Sequence, residues 1–389
     1  MNKYIKYCSG CGLCHSAIDK EMIVDDSGFL RPTKIDKEQL DFYKKVCLYN
    51  GKNVKEQKQN KFWGNYISCY EGFSNDNEIR EKASTGGVIT TICKYLLENK
   101  IVDRIIQVSV SSSNPFETKV NVNEKVDDVI KCSQSRYASS SPLYEIDKII
   151  EKDKSYAIVP KPCAIIVLKN YIREYNTYDN IKYFISFFCA GTPSKNANYK
   201  LAKDMGIANI EDVKKINYRG DGWPGKYKIE LSDGEKKEKP YIDAWCGWLG
   251  RDVQDVCRFC FDGIGEAADI SCGDYWYIEN NKPVFNEELG INVVFSWTSK
   301  GEELLQEMKN ENEIELSEIK DMTRLNVCQP HHFNRRGTMY ACVLAMRLLG
   351  KSVPRYNMKN LKSYRKNLPF SVRLKYFKGI ISRVIKGKI

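Results

Sequence analysis

Fifteen cysteines run through this chain, and three of them, Cys8, Cys11 and Cys14, form a C-x2-C-x2-C cluster close to the N-terminus. No other feature restricts the fold so tightly, because thiols at this spacing converge on a shared point. Disulfides account for them poorly. The count is odd, and the stretch from Met1 to Cys8 lacks the apolar run of a secretory signal, so a reducing, cytoplasmic setting is expected. Metal ligation is the leading reading.

Three thiolates so close can wrap one cuboidal iron-sulfur cluster, with the loops between them offering backbone amides to sulfur. A bacterial ferredoxin run would place a fourth Cys four residues on, followed by Pro; here Ile18 stands at that place. The nearest candidate for a fourth ligand is Cys47, beyond a 32-residue insertion long enough to return to the site. A zinc knuckle is the alternative, although the spacing is tight for tetrahedral zinc and the chain holds only three His.

A second group lies in the body of the chain. Cys257 and Cys260 form C-x2-C, with Cys246 upstream and Cys272 downstream, while Cys163 and Cys189 occupy turn-like positions. Cys163, after Lys161-Pro162, reads on its own as a small core residue or a nucleophile. Cys69, Cys93, Cys132, Cys328 and Cys342 sit in mixed or helical contexts and read as packing residues.

With 389 residues, 42% of them hydrophobic, the chain can bury a sizeable interior and is expected to form two packed units with small appendages. The spacing predicts a helix from Glu38 to Cys47, a Lys-, Gln- and Asn-rich connector at 52–61, and a helix carrying Val88, Ile89, Ile92, Tyr95 and Leu96. Strands are expected at Ile101–Val110, Tyr156–Val159, Tyr183–Phe188 and Asn292–Trp297, with a hairpin after Tyr227–Leu231 at Ser232-Asp233-Gly234. Helices between these strands indicate an α/β or mixed α+β core, a sheet covered by helices.

Two loops carry further chemistry. Ser84-Thr85-Gly86-Gly87, at a helix start, would present free N–H groups to an anion such as a flavin phosphate, or would simply cap the helix. Tyr218-Arg219-Gly220-Asp221-Gly222-Trp223-Pro224-Gly225 could seat a ring and a charged group, or serve as a rigid bend.

Taken together, these motifs resemble the coenzyme F420 hydrogenase/dehydrogenase beta-subunit family, to which 7-hydroxymethyl chlorophyll a reductase is related. The resemblance spans about Cys8 to Tyr356 and rests on Cys8–Cys14, Gly28-Phe29-Leu30-Arg31-Pro32, Ala83–Val88, Ser135-Arg136-Tyr137, Lys161-Pro162-Cys163-Ala164 and Phe188–Ser194. Its most specific blocks are Tyr218–Gly225 and the run Cys257–Ile270, which leads into Gly273-Asp274-Tyr275-Trp276. The usual Gln after the Pro-Cys turn is Ala164 here, and the N-terminal segment carries one set of cysteines where many relatives carry two.

The resemblance implies an oxidoreductase with FAD and up to two 4Fe-4S clusters. By matching positions, Cys8, Cys11, Cys14 and Cys47 would hold one cluster, and Cys163, Cys189, Cys257 and Cys260 the other, with Cys246 and Cys272 in reserve. FAD would lie on Ser84, Thr85, Gly86, Gly87, Arg136, Tyr137, Arg219, Gly222 and Trp223, and Lys161, Arg136 and Asp274 are candidate catalytic groups beside it. The implied domains are a ferredoxin-like segment at 1–60, a first flavin-binding part at 61–150, a catalytic part with the second cluster at 151–350 and a basic tail at 351–389. A flavin beside clusters converts single electrons into pairs. Two functions follow as expectations: an enzyme acting on a small or sugar-linked substrate of surface-polysaccharide synthesis with ferredoxin as donor, or a subunit that feeds electrons to a separate enzyme.

The net charge of +11 does not indicate a nucleic-acid groove. Residues 351–389 hold twelve Lys or Arg and no Asp or Glu, and the 49 basic residues elsewhere face 50 acidic ones. In that tail Leu374, Phe377, Ile381, Val384 and Ile385 share one helical face, among Arg373, Lys375, Lys378, Arg383, Lys386 and Lys388. Such a helix suits peripheral contact with an anionic membrane, at ~1 kcal/mol per basic group. A solvated tail is the alternative. No run of about 18 apolar residues that could span a bilayer occurs in the sequence.

Overall fold

The computed structural model describes residues 2–50, 61–387 and 389. The expected connector, apart from Lys61, and Lys388 of the tail lie outside the described residues. In chain order the strands are β1 Met22–Val24, β2 Leu30–Pro32, β3 Ser68–Ser74, β4 Arg104–Val110, β5 Thr118–Asn123, β6 Tyr156–Ile158 and β7 Ile181–Phe187. They continue with β8 Val213–Asn217, β9 Lys226–Leu231, β10 Lys236–Pro240, β11 Ile270–Asp274, β12 Ile278–Glu279, β13 Lys282–Pro283, β14 Asn292–Ser296 and β15 Ile314–Glu318. The expected strands and the helix at 88 are all present, with ends shifted by up to three residues; the helix expected at 38–47 covers Leu40–Val46.

The core is one eight-stranded mixed sheet in the order β15-β3-β14-β11-β7-β6-β4-β5. Its centre, β11-β7-β6-β4, is parallel, and antiparallel strands complete both sides. Successive side chains point to opposite faces, so each buried strand feeds two cores. On one face Ile106, Tyr156, Ile158, Phe184 and Phe295 pack with Ile165 and Leu168 of the helix Pro162–Tyr175. On the other, Ile105, Ala157, Ile185 and Val294 pack with Ile92 of the helix Val88–Glu98 and with Leu304 and Leu305 of the helix Ser299–Asn310.

Because β3 lies between β14 and β15, strands from both sides of residue 150 share one sheet. The parts on either side of residue 150 complete one sheet. The three-stranded sheet β10-β9-β8 forms a separate lobe whose hairpin turns at Gly234, φ 91°, as the Ser-Asp-Gly signal predicted.

The amphipathic tail has a partner within the protein. The helix Phe370–Ile385 lies along Pro330–Leu348 with Ile380 buried and Tyr376, Phe377, Ile381 and Val384 against the core. Gly337 makes room for Leu368, since a Cβ there would meet Leu368 Cδ1 at 2.4 Å. Part of the apolar stripe thus packs against the protein, while Phe370, Leu374 and Ile385 stay exposed. Deleting residues 368–389 is expected to cost at least about 3 kcal/mol in urea unfolding, from Leu368 and Ile380 alone. Among the described residues, no helix is long and apolar enough to cross a membrane.

Candidate functional site

The N-terminal segment is built onto the sheet through its cysteine loop. Gly10 and Gly12 take φ of 63° and 88°, conformations that glycine adopts without strain and that fold Cys8–Cys14 back on itself. Leu143 N–H donates to the Cys11 carbonyl at 2.9 Å, Ser141 Oγ to that of Gly10 at 2.9 Å, and Lys161 Nζ to that of Ser9 at 2.8 Å. Arg31, beside Asp25 at 2.7 Å, also donates to the Ile5 and Cys8 carbonyls. Cys47 follows the helix Leu40–Val46, whose last carbonyl accepts from Asn170 Nδ2 at 3.1 Å.

These contacts bring Cys8, Cys11, Cys14 and Cys47 around one small cavity, so the distant Cys47 does join the N-terminal three. Burial, with Cys11 adding to it, pushes the Cys8 thiol up to about 11. Burial raises Cys47 well above the ordinary thiol value, reinforced by Cys11, Cys8 and Cys14. Gly10 N–H donates to Cys8 Sγ at 3.3 Å.

Cys163, Cys189, Cys257 and Cys260 line a second cavity, of about 360 Å³. Cys163 stands in the first turn of the helix Pro162–Tyr175, and Cys257 in the short helix Asp255–Arg258. Thr192 N–H donates to Cys257 Sγ at 3.4 Å. Burial pushes Cys189 up to about 11, with Cys257 adding to the shift. Leu48 borders both cavities. The reserves take no part: Cys246 is exposed, and Cys272 points to the other face of the sheet. The five cysteines expected to be packing residues are all buried.

Among the described residues no group of three or more His, Cys, Asp or Glu closes on a single point at metal-ion spacing. Each set of four thiols surrounds a space instead. Four thiols lining one space are a donor set that a cuboidal cluster, which takes one thiolate per iron corner, would fit.

A third cavity, of about 220 Å³, opens at the start of the helix Val88–Glu98 and reaches to Cys189 and Lys161. Ser84, Thr85, Gly87, Arg136, Tyr137 and Arg219 line it. Gly86 is packed behind, where a Cβ would meet Asn292 Oδ1 at 2.7 Å. Arg136 has a buried Nε without a hydrogen-bond partner, and burial holds its guanidinium below the ordinary value. A buried cation beside the amides of a helix N-terminus suits a phosphate-bearing cofactor.

Gly222 and Trp223 do not line this cavity. The Trp223 indole stacks on Trp276 at 4.6 Å and donates to Asp274 Oδ1 at 2.8 Å. Arg219 grips the same carboxylate through two bonds, 2.6 and 2.9 Å, and donates to the Pro224 carbonyl. Asp274 borders the cavity, and these three donors hold its carboxylate in place. Lys161 likewise spends its ammonium on the carbonyls of Ser9 and Ser140, 2.8 Å each.

Sequence reasoning missed Gln254, the serines that clamp the cysteine loop, and Pro354–Leu361, whose residues close the second cavity with the Tyr356 hydroxyl on the Phe259 carbonyl. None of these belongs to a spaced motif; only the burial of a polar Gln beside Cys257 sets it apart.

Two family models match the chain. Both describe the "Coenzyme F420 hydrogenase/dehydrogenase, beta subunit", its N-terminal part over residues 69–146 and its C-terminal part over 153–322. The F420-dependent formate dehydrogenase 1 subunit beta of Methanococcus maripaludis is 28% identical over 245 residues, 61% of this chain and 58% of that protein. The coenzyme F420-dependent sulfite reductase of Methanocaldococcus jannaschii is 26% identical over 337 residues, 82% of this chain and 49% of that protein. The chain thus spans about half to three fifths of the length of these relatives. Among solved structures, a chain of the F420-reducing [NiFe] hydrogenase complex from Methanosarcina barkeri shares the fold, with a TM-score of 0.56, 20% identity, and coverage of 77% of this chain and 99% of that one. The two models lie end to end across the sheet that carries the small-residue turn and the second set of thiols, and the chain accordingly belongs to the coenzyme F420 hydrogenase/dehydrogenase beta-subunit family.

Proposed function

We propose that this chain is an electron-transfer subunit of an oxidoreductase, built to hold two 4Fe-4S clusters and a flavin, FAD by resemblance. The observation that carries the reading is the gathering of eight cysteines, from distant parts of the sequence, into two adjoining sets of four. Bound there, clusters would move single electrons and the flavin would exchange them for pairs. The protein's own part is positional. Cys8, Cys11, Cys14 and Cys47 would ligate one cluster and Cys163, Cys189, Cys257 and Cys260 the other. The Gly10 and Thr192 amides already donate to the ligand sulfurs. Arg136 and the Ser84–Gly87 turn would hold the flavin phosphate, and Tyr137 would flank the ring.

The relatives described above are a formate dehydrogenase subunit and a sulfite reductase. The first, named as a subunit, favours a chain that serves a partner enzyme, and neither name points to a sugar. Coenzyme F420 or ferredoxin would be the exchanging carrier.

Anaerobic purification with iron, sulfide and flavin quantified is the test. The expected result is brown protein with about four irons and four sulfides per set of cysteines, and flavin. Colourless protein, or zinc in place of iron, would remove the reading. Turnover of a small substrate by the isolated chain, with no partner present, would restore the free-standing enzyme.

A further inference from the structure

Between the two sets of thiols lies a charge that no carboxylate balances. Lys161 is 5% exposed, and its ammonium rests on the carbonyls of Ser9 and Ser140, with no ion-pair partner among the described residues. Carbonyl oxygens solvate an ammonium but do not neutralise it, and an uncompensated buried charge is costly. Its position is specific. Ser9 lies between Cys8 and Cys11, and Lys161 itself stands two residues before Cys163.

A second buried polar group occupies the same junction. Gln254 is 1% exposed, and neither its side-chain nitrogen nor its oxygen has a hydrogen-bond partner. Nε2 lies 3.5 Å from where a Cβ on Gly10 would stand, and Cys257 follows three residues later. An amide left unpaired in a dry interior is unfavourable unless a bound group accepts from it.

We propose that Lys161 and Gln254 form a polar joint between the two cysteine sets that raises the reduction potential of both clusters held there. The inference rests on the cluster reading given above. Adding an electron makes a thiolate-ligated cluster more negative, so a fixed cation beside it stabilises the reduced state and lifts the potential; an N–H donated to sulfur acts in the same direction. One ammonium seated on a carbonyl of the first ligand loop, and carried two residues before a ligand of the second set, acts on both centres at once. These are positioning residues: they ligate nothing themselves.

The test is a redox titration of the full chain, followed by EPR, with iron measured on each sample. K161M is expected to lower the midpoint potentials of both centres at unchanged iron content. K161R, which keeps the charge, should restore them. Q254L should lower them by a smaller shift. Should K161M lose the N-terminal cluster, the Q254L shift and the K161R potentials still decide the matter. Iron-replete variants with unmoved potentials, or a shift confined to one centre, overturn the inference. Wild-type protein without iron overturns the cluster reading instead, and this inference with it.

Discussion

Replacing Cys47 with serine is expected to remove the iron of the N-terminal set, roughly half the total, while the second set keeps its own. The argument runs from scaffold to sulfur. Cys47 N–H donates to the Tyr43 carbonyl at 3.1 Å, and the carbonyl of the preceding Val46 is tied to Asn170 on the helix Pro162–Tyr175. The thiol is thus carried to Cys8, Cys11 and Cys14 by a fixed helix end, and a near-isosteric serine leaves that helix in place while offering a poor ligand for iron. Iron and sulfide per chain, with EPR of the reduced protein, measure the effect. Cys272→Ser and Cys246→Ser serve as controls and should retain full iron, because neither lines a cysteine cavity. A Cys47→Ser protein with its full complement of iron would strike Cys47 from the ligand set.

Replacing Arg219 with alanine is expected to destabilise the protein by about 3–5 kcal/mol, the usual result of stranding one member of a buried ion pair. Arg219 is 3% exposed in its side chain and Asp274 is 19% exposed, and their contact is bidentate. The guanidinium also lies 4.4 Å from the Tyr241 ring and 4.9 Å from Trp276, so its loss opens the stack of Trp223 on Trp276. Arg219→Lys should recover little of the loss, because an ammonium cannot meet both carboxylate oxygens in one plane and still reach the Pro224 carbonyl. Urea unfolding followed by tryptophan fluorescence reads the change. An Arg219→Ala midpoint equal to that of the wild type would mean that the loop is held by other contacts. Since Arg219 also lines the third cavity, flavin content should fall with stability.

The loop at 218–225 shows where local sequence reaches its limit. Its density of Gly, Pro, Arg and Trp announces a special conformation, but the same residues suit a cofactor seat and a rigid bend. The structure divides them: Arg219 reaches the cavity while serving the ion pair, and Trp223 and Gly222 serve the bend. The tail shows the converse. Its apolar stripe was legible from spacing alone, yet spacing does not say what a stripe meets, and the helix Pro330–Leu348 packs against part of it.

The strands, the helix at Val88–Glu98 and the N-terminal thiol cluster follow from the sequence itself, because side-chain period and short-range spacing are local properties of the chain. The pairing of Cys47 with the first three cysteines, and of Cys163 and Cys189 with Cys257 and Cys260, was suggested by spacing and resemblance but depends on which loops the sheet brings together. The tertiary structure alone decided that Lys161 rests on the Ser9 carbonyl and Gln254 lies beside Gly10, that Asp274 is held by Arg219, and that Pro354–Leu361 closes the second cavity. Contacts between residues a hundred or more positions apart leave no periodic trace in a single sequence, since they arise from the packing of whole elements and not from the preferences of any one segment.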